Sequence, residues 1–258
     1  MDLGIVGRIA IVTGGSRGLG RQSALALARE GCKVAICARH GQELDLTVAE
    51  LREFNDDCVG ILADVATADG CRDLYSEAVS RLGEIDMLVN NVGGTVGGRD
   101  FDSATDQDWI DTFALNLLST VRMTRLVLPG MVERRWGRIV NISSVFGREY
   151  GGTPSYMAAK ASVIAFSKHI ALTFAPKNVL VNTIAPGSIR FQGGSWDRFT
   201  QNNPPDIVEQ FIDRNLPMGR FGWPEPVGET VAFLCSEGAN LITGASITVD
   251  GGQSRSLI

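Results

Sequence analysis

Residues 8–31 read RIAIVTGGSRGLGRQSALALAREG, and the fold is decided by how this stretch is parsed. RIAIVT is a short apolar run rich in β-branched residues and bounded by glycine, the pattern of a buried strand. GGSRGLG follows at once, and RQSALALAREG then carries apolar residues at helical intervals, with Gly31 as its stop. Gly14, Gly18 and Gly20 allow a tight turn and a close approach of the backbone to a diphosphate. The free amides at the helix start face such an anion, and the helix dipole favours negative charge there. The spacing is G-x-x-x-G-x-G after Thr13, in contrast to the commoner G-x-G-x-x-G of dinucleotide folds. Three glycines alone are only a turn; their place between a first strand and a clean helix adds the meaning.

The alternation continues along the chain. Strands are predicted near 8–13, 33–38, 58–63, 85–90, 137–143, 178–184 and 246–249, and helices near 18–30, 41–54, 68–82, 106–130, 154–175 and 225–236. Such a pattern implies an α/β chain with a parallel sheet covered on both faces. Right-handed crossovers then put ligands at the carboxyl ends of the strands. One domain over residues 1–258 accounts for the whole pattern, with no repeat, charge block or linker. The stretch 188–217 is irregular, with Gly193, Gly194, Pro204 and Pro205 among Trp196, Phe199 and Phe211. It reads either as a lid over a substrate or as a surface loop.

Composition narrows the classes of function. Hydrophobic residues make up 44% and charged residues 21% of the 258, a globular balance. The net charge of −5 and the lack of a basic patch with interleaved aromatics argue against nucleic acid as a partner. MDLGIVGR lacks the basic start and apolar core of a signal peptide, and no apolar run of 18 residues offers a membrane span. Five cysteines without C-x-x-C spacing and two scattered histidines predict reduced core thiols, no metal and a cytoplasmic setting.

PSYMAAKAS at 154–162 carries the chemistry. Its alanines and apolar spacing predict a helix, and residues four apart share a helix face. Lys160 therefore lies beside Tyr156. A neighbouring cation favours phenolate, and lowering a phenol by roughly three units corresponds to about 4 kcal/mol. Taken alone, the pair also fits an ordinary surface Tyr with an i,i+4 Lys.

TGGSRGLG at 13–20, NNVG at 90–93, NISS at 141–144, YMAAK at 156–160 and APG at 185–187 occur in order and at intervals that resemble those of the short-chain dehydrogenase/reductase family, over essentially the whole chain. The resemblance implies a Rossmann-type doubly wound parallel sheet of about seven strands in the order 3-2-1-4-5-6-7. It implies Tyr156 as proton donor to a carbonyl oxygen during hydride transfer, Ser144 binding that oxygen, Lys160 on the nicotinamide ribose, and Asn116, whose backbone orders a water that leads to the lysine. Ser16, Arg17 and Leu19 in the glycine turn would join Gly14, Gly18 and Gly20 on the cofactor. Asp64 and Val65 would hold the adenine, Asn91 and Gly93 the adenosine side, and Pro186, Gly187 and Ile189 the nicotinamide. Ser143 matches the usual family interval to the tyrosine, whereas Ser144 matches the S-x-x-G pattern. Successive residues of a strand face opposite ways, so one of them faces the cofactor, and Ser144 is preferred. Val92 and Phe191 depart from the family pattern; Phe191 replaces a common cofactor-contacting Thr.

Strand two ends in ICARH, with Ala38 and Arg39 where an NAD site carries an acid; Arg39 and Arg17 suit a 2′-phosphate and predict NADP(H) over NAD(H). Phe146, Tyr150, Phe191 and Trp196 are expected along a substrate wall with Gly94 to Val96. Arg148 and Arg190 either recognise an anionic substrate or pair with Glu149 and Asp197. The expected activity is an oxidoreductase interconverting a carbonyl and a secondary alcohol. Two other readings stay open, a non-catalytic NADP(H)-binding regulatory protein and an isomerase or dehydratase. The resemblance also implies a homotetramer or homodimer, through the helices at 106–130 and 154–175 and the strand TGASITVDGG.

Overall fold

Seven parallel strands lie in the order β3-β2-β1-β4-β5-β6-β7 in the computed structural model, which describes residues 2–257. Met1 and Ile258, the end points of the expected domain, lie outside the described residues. The strands are β1 (Ile9–Thr13), β2 (Lys33–Ala38), β3 (Val59–Leu62), β4 (Met87–Asn90), β5 (Gly137–Ile142), β6 (Val179–Pro186) and β7 (Ser246–Val249). Every neighbouring pair is parallel, so all the carboxyl ends share one edge.

Side-chain alternation builds a core on each face of the sheet. Ala10, Val12, Val34, Ile36, Met87, Val89, Val140 and Ile142 point into one cluster, packed with α1 (Gly18–Arg29), α2 (Gly41–Arg52) and later α9 (Glu225–Cys235). Ile11, Ala35, Cys37, Leu88, Ile139 and Val181 point into the other, against α3 (Ala68–Leu82), the helical run after residue 106, and α6 (Pro154–Phe174). Full burial contributes about 1.5–3 kcal/mol for each large apolar side chain. Helices α1 and α9 approach closely at Gly228, where a Cβ would lie 2.5 Å from the Gln22 carbonyl oxygen.

Two elements differ from the sequence expectation. The helix expected over 106–130 is α4 (Asp106–Phe113), a π-helical turn (Ala114–Leu118) and α5 (Ser119–Arg134). A capping box between Thr105 and Asp108 starts it, and Arg135 ends it with a left-handed φ of 53°. The stretch 188–217 is more ordered than its glycines and prolines imply. It holds α7 (Ser195–Asn202) and α8 (Pro205–Asn215), with Pro205 in the first turn where its missing N–H costs nothing. Trp196, Phe199, Phe211 and Phe221 form one aromatic cluster, with ring centroids 4.7 Å apart for Trp196 and Phe211.

Candidate active site

The carboxyl edge of β1 opens into the glycine turn. Gly14 has a φ of 65° and Gly18 of 55°, conformations that only glycine adopts without strain. A Cβ on Gly20 would collide with the Gly14 carbonyl and the Asn91 amide, so this glycine serves close packing of α1 against the turn. Asn91 fixes the geometry by donating from Nδ2 to the carbonyls of Thr13 at 2.9 Å and Gly14 at 3.1 Å. The Thr13 hydroxyl accepts from the amides of Asn91 and Val92 at 2.9 and 3.2 Å. Thr13 thus joins β1 to β4, a role that the motif alone does not disclose. Arg17 has extended backbone at the start of α1 and makes no side-chain cap, leaving the first helical amides open.

Arg39 is exposed at the end of β2 and, with Leu62, Ala63 and Asp64, lines an open cleft of about 290 Å³. Neither Arg17 nor Arg39 has an ion-pair partner among the described residues. Val65 is buried, and the Asp64 carboxylate accepts from the amide of Ala66 at 3.1 Å. Ser16 presents its carbonyl to the Thr47 hydroxyl at 3.0 Å, and Leu19 packs against the core.

Tyr156 and Lys160 lie on the first turns of α6, which begins with Pro154. The Lys160 amine is buried, donates to the Ile142 carbonyl at 2.8 Å, and lies 5.6 Å from the centre of the Tyr156 ring. Burial brings it down to about 8 from 10.5. The Tyr156 phenol is pushed up by burial and lowered by its hydrogen bond with Ser144. The expectation of a lysine-driven shift toward phenolate is therefore corrected for the chain by itself: desolvation is the larger effect and keeps the phenol protonated.

The two serines diverge as strand alternation requires. Ser143 Oγ donates to the Lys160 carbonyl at 2.9 Å, turning inward, while Ser144 Oγ accepts from the Phe146 amide at 3.2 Å and acts on the Tyr156 phenol, partly offsetting the effect of burial. Asn116 is fully buried in the π-helical turn. Its side chain donates to the carbonyls of Gly94 and Thr112, both at 2.7 Å, and accepts from the Gly94 amide at 3.1 Å. Its own carbonyl accepts from the Thr120 hydroxyl at 2.9 Å. Gly93 completes this contact: a Cβ there would lie 2.5 Å from Lys160 Nζ and 2.6 Å from Asn116 Oδ1. A further polar chain, Asn90 to Asn141 at 2.8 Å and Asn141 to Ser167 at 2.7 Å, links β4, β5 and α6 beneath the site.

Pro186 is the last residue of β6, paired with Val249 of β7, and Gly187 and Ile189 follow it. Phe191, just beyond, lays its ring over Gly18, where a Cβ would meet ring carbons at 2.6 Å. The aromatic wall expected from sequence is not assembled as such. Tyr150 is 94% exposed, Trp196 belongs to the cluster with Phe199 and Phe211, and Phe191 faces the glycine turn. Phe146 packs beside Gly152. Arg190 pairs with Asp197 at 3.3 Å, whereas Arg148 donates to the Ser246 carbonyl at 2.9 Å, with no ion pair to Glu149. No cluster of three or more potential metal ligands occurs among the described residues. No helix among them is long and apolar enough to cross a membrane.

A doubly wound parallel sheet with a glycine turn after its first strand defines a Rossmann-type α/β protein. The sequence profile described as short chain dehydrogenase matches residues 8–199, and the chain belongs to that family. A 3-oxoacyl-[acyl-carrier-protein] reductase of Aquifex aeolicus is 36% identical over 257 residues, covering 98% of this chain and 100% of the relative. One from Staphylococcus aureus is 37% identical over 248 residues, covering 95% and 97%. Among solved structures, the L-sorbose reductase of Gluconobacter frateurii, complexed with NADPH and L-sorbose, superposes with a TM-score of 0.93 at 31% identity, covering all of both chains. A variant actinorhodin polyketide ketoreductase with NADPH gives 0.90 at 33% identity, covering 97% of this chain and 98% of that one.

Proposed function

We propose that this protein is an NADP(H)-dependent oxidoreductase that interconverts a carbonyl group and a secondary alcohol, with Tyr156 as the acid and base. The observation that carries the reading is the placement of Ser144, Tyr156 and Lys160 together at the sheet edge that also bears the glycine turn, with the Lys160 amine 5.6 Å from the centre of the Tyr156 ring. The residues present fit a dinucleotide. Gly14 and Gly18 supply the left-handed backbone of the turn, Arg17 makes no side-chain cap over the first amides of α1, and Arg17 and Arg39 have no ion-pair partner among the described residues and suit a 2′-phosphate. The structural neighbours that hold NADPH support the same choice. The nicotinamide supplies or accepts the hydride when bound.

The chain's own groups handle the proton. A phenol held neutral by burial is an acid ready to donate to a carbonyl oxygen as negative charge develops there. Ser144 donates a second hydrogen bond to that oxygen and orients the phenol. In the oxidative direction the phenol must ionise, and a protonated Lys160 beside it stabilises the anion. Asn116 and Gly93 hold the lysine in reach of the tyrosine. Asp64, Val65, Asn91 and Ser16 would hold the adenosine half, Leu19 would present its amide to the diphosphate, and Pro186, Gly187 and Ile189 would line the nicotinamide.

The relatives named above act on 3-oxoacyl thioesters and on a keto-sugar, and both classes are candidate substrates here. One domain spans residues 1–258, and the segment 188–217 closes over the substrate as a lid. The assembly is a cytoplasmic homotetramer or homodimer that uses the helices at 106–130 and 154–175, with the half-buried edge strand β7 in the tetramer. NADPH oxidation followed by absorbance against a panel of ketones, 3-oxoacyl thioesters and keto-sugars tests the activity. Turnover with at least one class is expected, with NADPH favoured over NADH by on the order of 10²-fold from two charged hydrogen bonds of about 1.5–3 kcal/mol each. No turnover with any class, or equal use of NADH, would overturn the reading.

A further inference from the structure

The backbone from Gly187 to Arg190 is held mostly by main-chain bonds. The Gly187 amide donates to the Val249 carbonyl at 3.2 Å, the Ser188 carbonyl accepts from Gly222 at 3.0 Å, and the Arg190 amide donates to Gly222 at 2.8 Å. One anchor is different. The Ser188 amide donates to Gln253 Oε1 at 2.7 Å, a contact between residues 65 apart in sequence. Ser188 is 3% exposed, so in the intact chain its amide relies on this side-chain acceptor instead of on solvent. Gly187 admits this contact because it has no side chain; a Cβ there would lie 2.7 Å from Gln253 Oε1 and from Asp250 Cβ.

The tail that delivers Gln253 is itself fastened. The Asp250 carboxylate accepts from the amides of Gly252 at 3.0 Å and Ser254 at 2.8 Å. The Glu149 carboxylate, in the loop between β5 and α6, accepts from the amides of Arg255 at 3.0 Å and Ser256 at 3.1 Å. The C-terminal tail therefore bridges the two segments that frame the candidate active site: the one after β6, and the loop that runs from Ser144 to Tyr156.

We propose that Gln253 is a positioning residue, whose side-chain carbonyl fixes the Gly187–Ile189 backbone against which the nicotinamide end of the cofactor rests. The proposal builds on the NADP(H) reading above. Removing the acceptor strands a buried N–H and loosens that wall, while the glycine turn and Arg39, at the other end of the cofactor site, are untouched.

Binding of NADPH and of adenosine 2′,5′-bisphosphate, which lacks the nicotinamide half, separates the possibilities when measured on wild type, Gln253→Leu and Gln253→Glu. Gln253→Leu is expected to weaken NADPH binding about tenfold, the lower part of the cost of stranding a buried donor. It should raise KM for NADPH more than it lowers kcat and leave the bisphosphate affinity within about twofold. Gln253→Glu retains a side-chain oxygen and should recover most of the NADPH affinity. Unchanged NADPH affinity in Gln253→Leu would overturn the proposal, as would equal losses for both ligands. Wild-type protein that binds neither ligand would overturn the cofactor reading, and this inference with it.

Discussion

Burial pushes Tyr156 and Lys160 in opposite directions, the phenol up and the amine down to about 8, and both shifts favour the neutral forms. This has a consequence for stability that can be measured. Lys160 titrates near 8 in the folded chain and at 10.5 when free of the fold, so between those values the unfolded chain binds more protons and stability rises with pH. Below about 8 the cost of burying the charged amine is fully present; above 10.5 it is gone. Urea unfolding of wild type and Lys160→Met at pH 7 and pH 10 should show the wild type gaining relative to the variant, by on the order of 3 kcal/mol over the whole window. A difference that is flat with pH would show that the amine is not desolvated. The sequence disclosed that Tyr156 and Lys160 share a helix face; it did not disclose how dry that face is, because burial depends on β5 and the π-helical turn packing over it. That Ser143 and Ser144 diverge was legible, since adjacent extended residues face opposite ways, but which of them meets a substrate was not, because that depends on tertiary contacts.

At the level of elements, the π-helical turn is what brings Asn116 and Lys160 to the same glycine. Mid-helix Asn has poor helix propensity, a visible signal of distortion, but its register against Gly93 comes from how α4 and α6 pack. Gly93→Ala is expected to push Lys160 Nζ or Asn116 Oδ1 aside, from would-be contacts of 2.5 and 2.6 Å, and to cut turnover on the order of 10²-fold with the fold retained. Wild-type turnover in that variant would mean that the lysine has slack. The strands and the glycine turn were legible because alternation and φ > 0 leave local marks on sequence. Helices α7 and α8 were not, because Gly193 and Gly194 mark a break before α7, and Pro204 and Pro205 one before α8, while apolar faces of the two helices meet in the Trp196, Phe199, Phe211 and Phe221 cluster. The 65-residue separation of Ser188 and Gln253 leaves no local trace at all.

Across the whole molecule, both faces of the sheet are sealed, and the five cysteines fall inside. Burial pushes the thiols of Cys32, Cys37 and Cys235 up to about 12 and that of Cys71 to about 11. Thiolate is the reactive form, so a chromogenic disulfide reagent at pH 8 should modify none of them in the folded protein and all five after denaturation. Rapid labelling of the native protein would show that one face of the core opens. The same sealed scaffold sets the strand ends in one row, and that row brings residues far apart in sequence to a single place: the glycine turn at 14–20, Asn91 and Gly93, Ser144, and the segment after Pro186. In the function proposed above, the chemistry at this edge rests on the phenol. Tyr156→Phe removes one oxygen from the site and leaves the glycine turn, Arg39 and Lys160 in place. NADPH titration alongside steady-state turnover on any accepted carbonyl substrate is the most direct test. NADPH affinity within about threefold of wild type and turnover lowered by roughly 10²- to 10⁴-fold are expected. Turnover close to that of wild type would contradict Tyr156 as the acid and base.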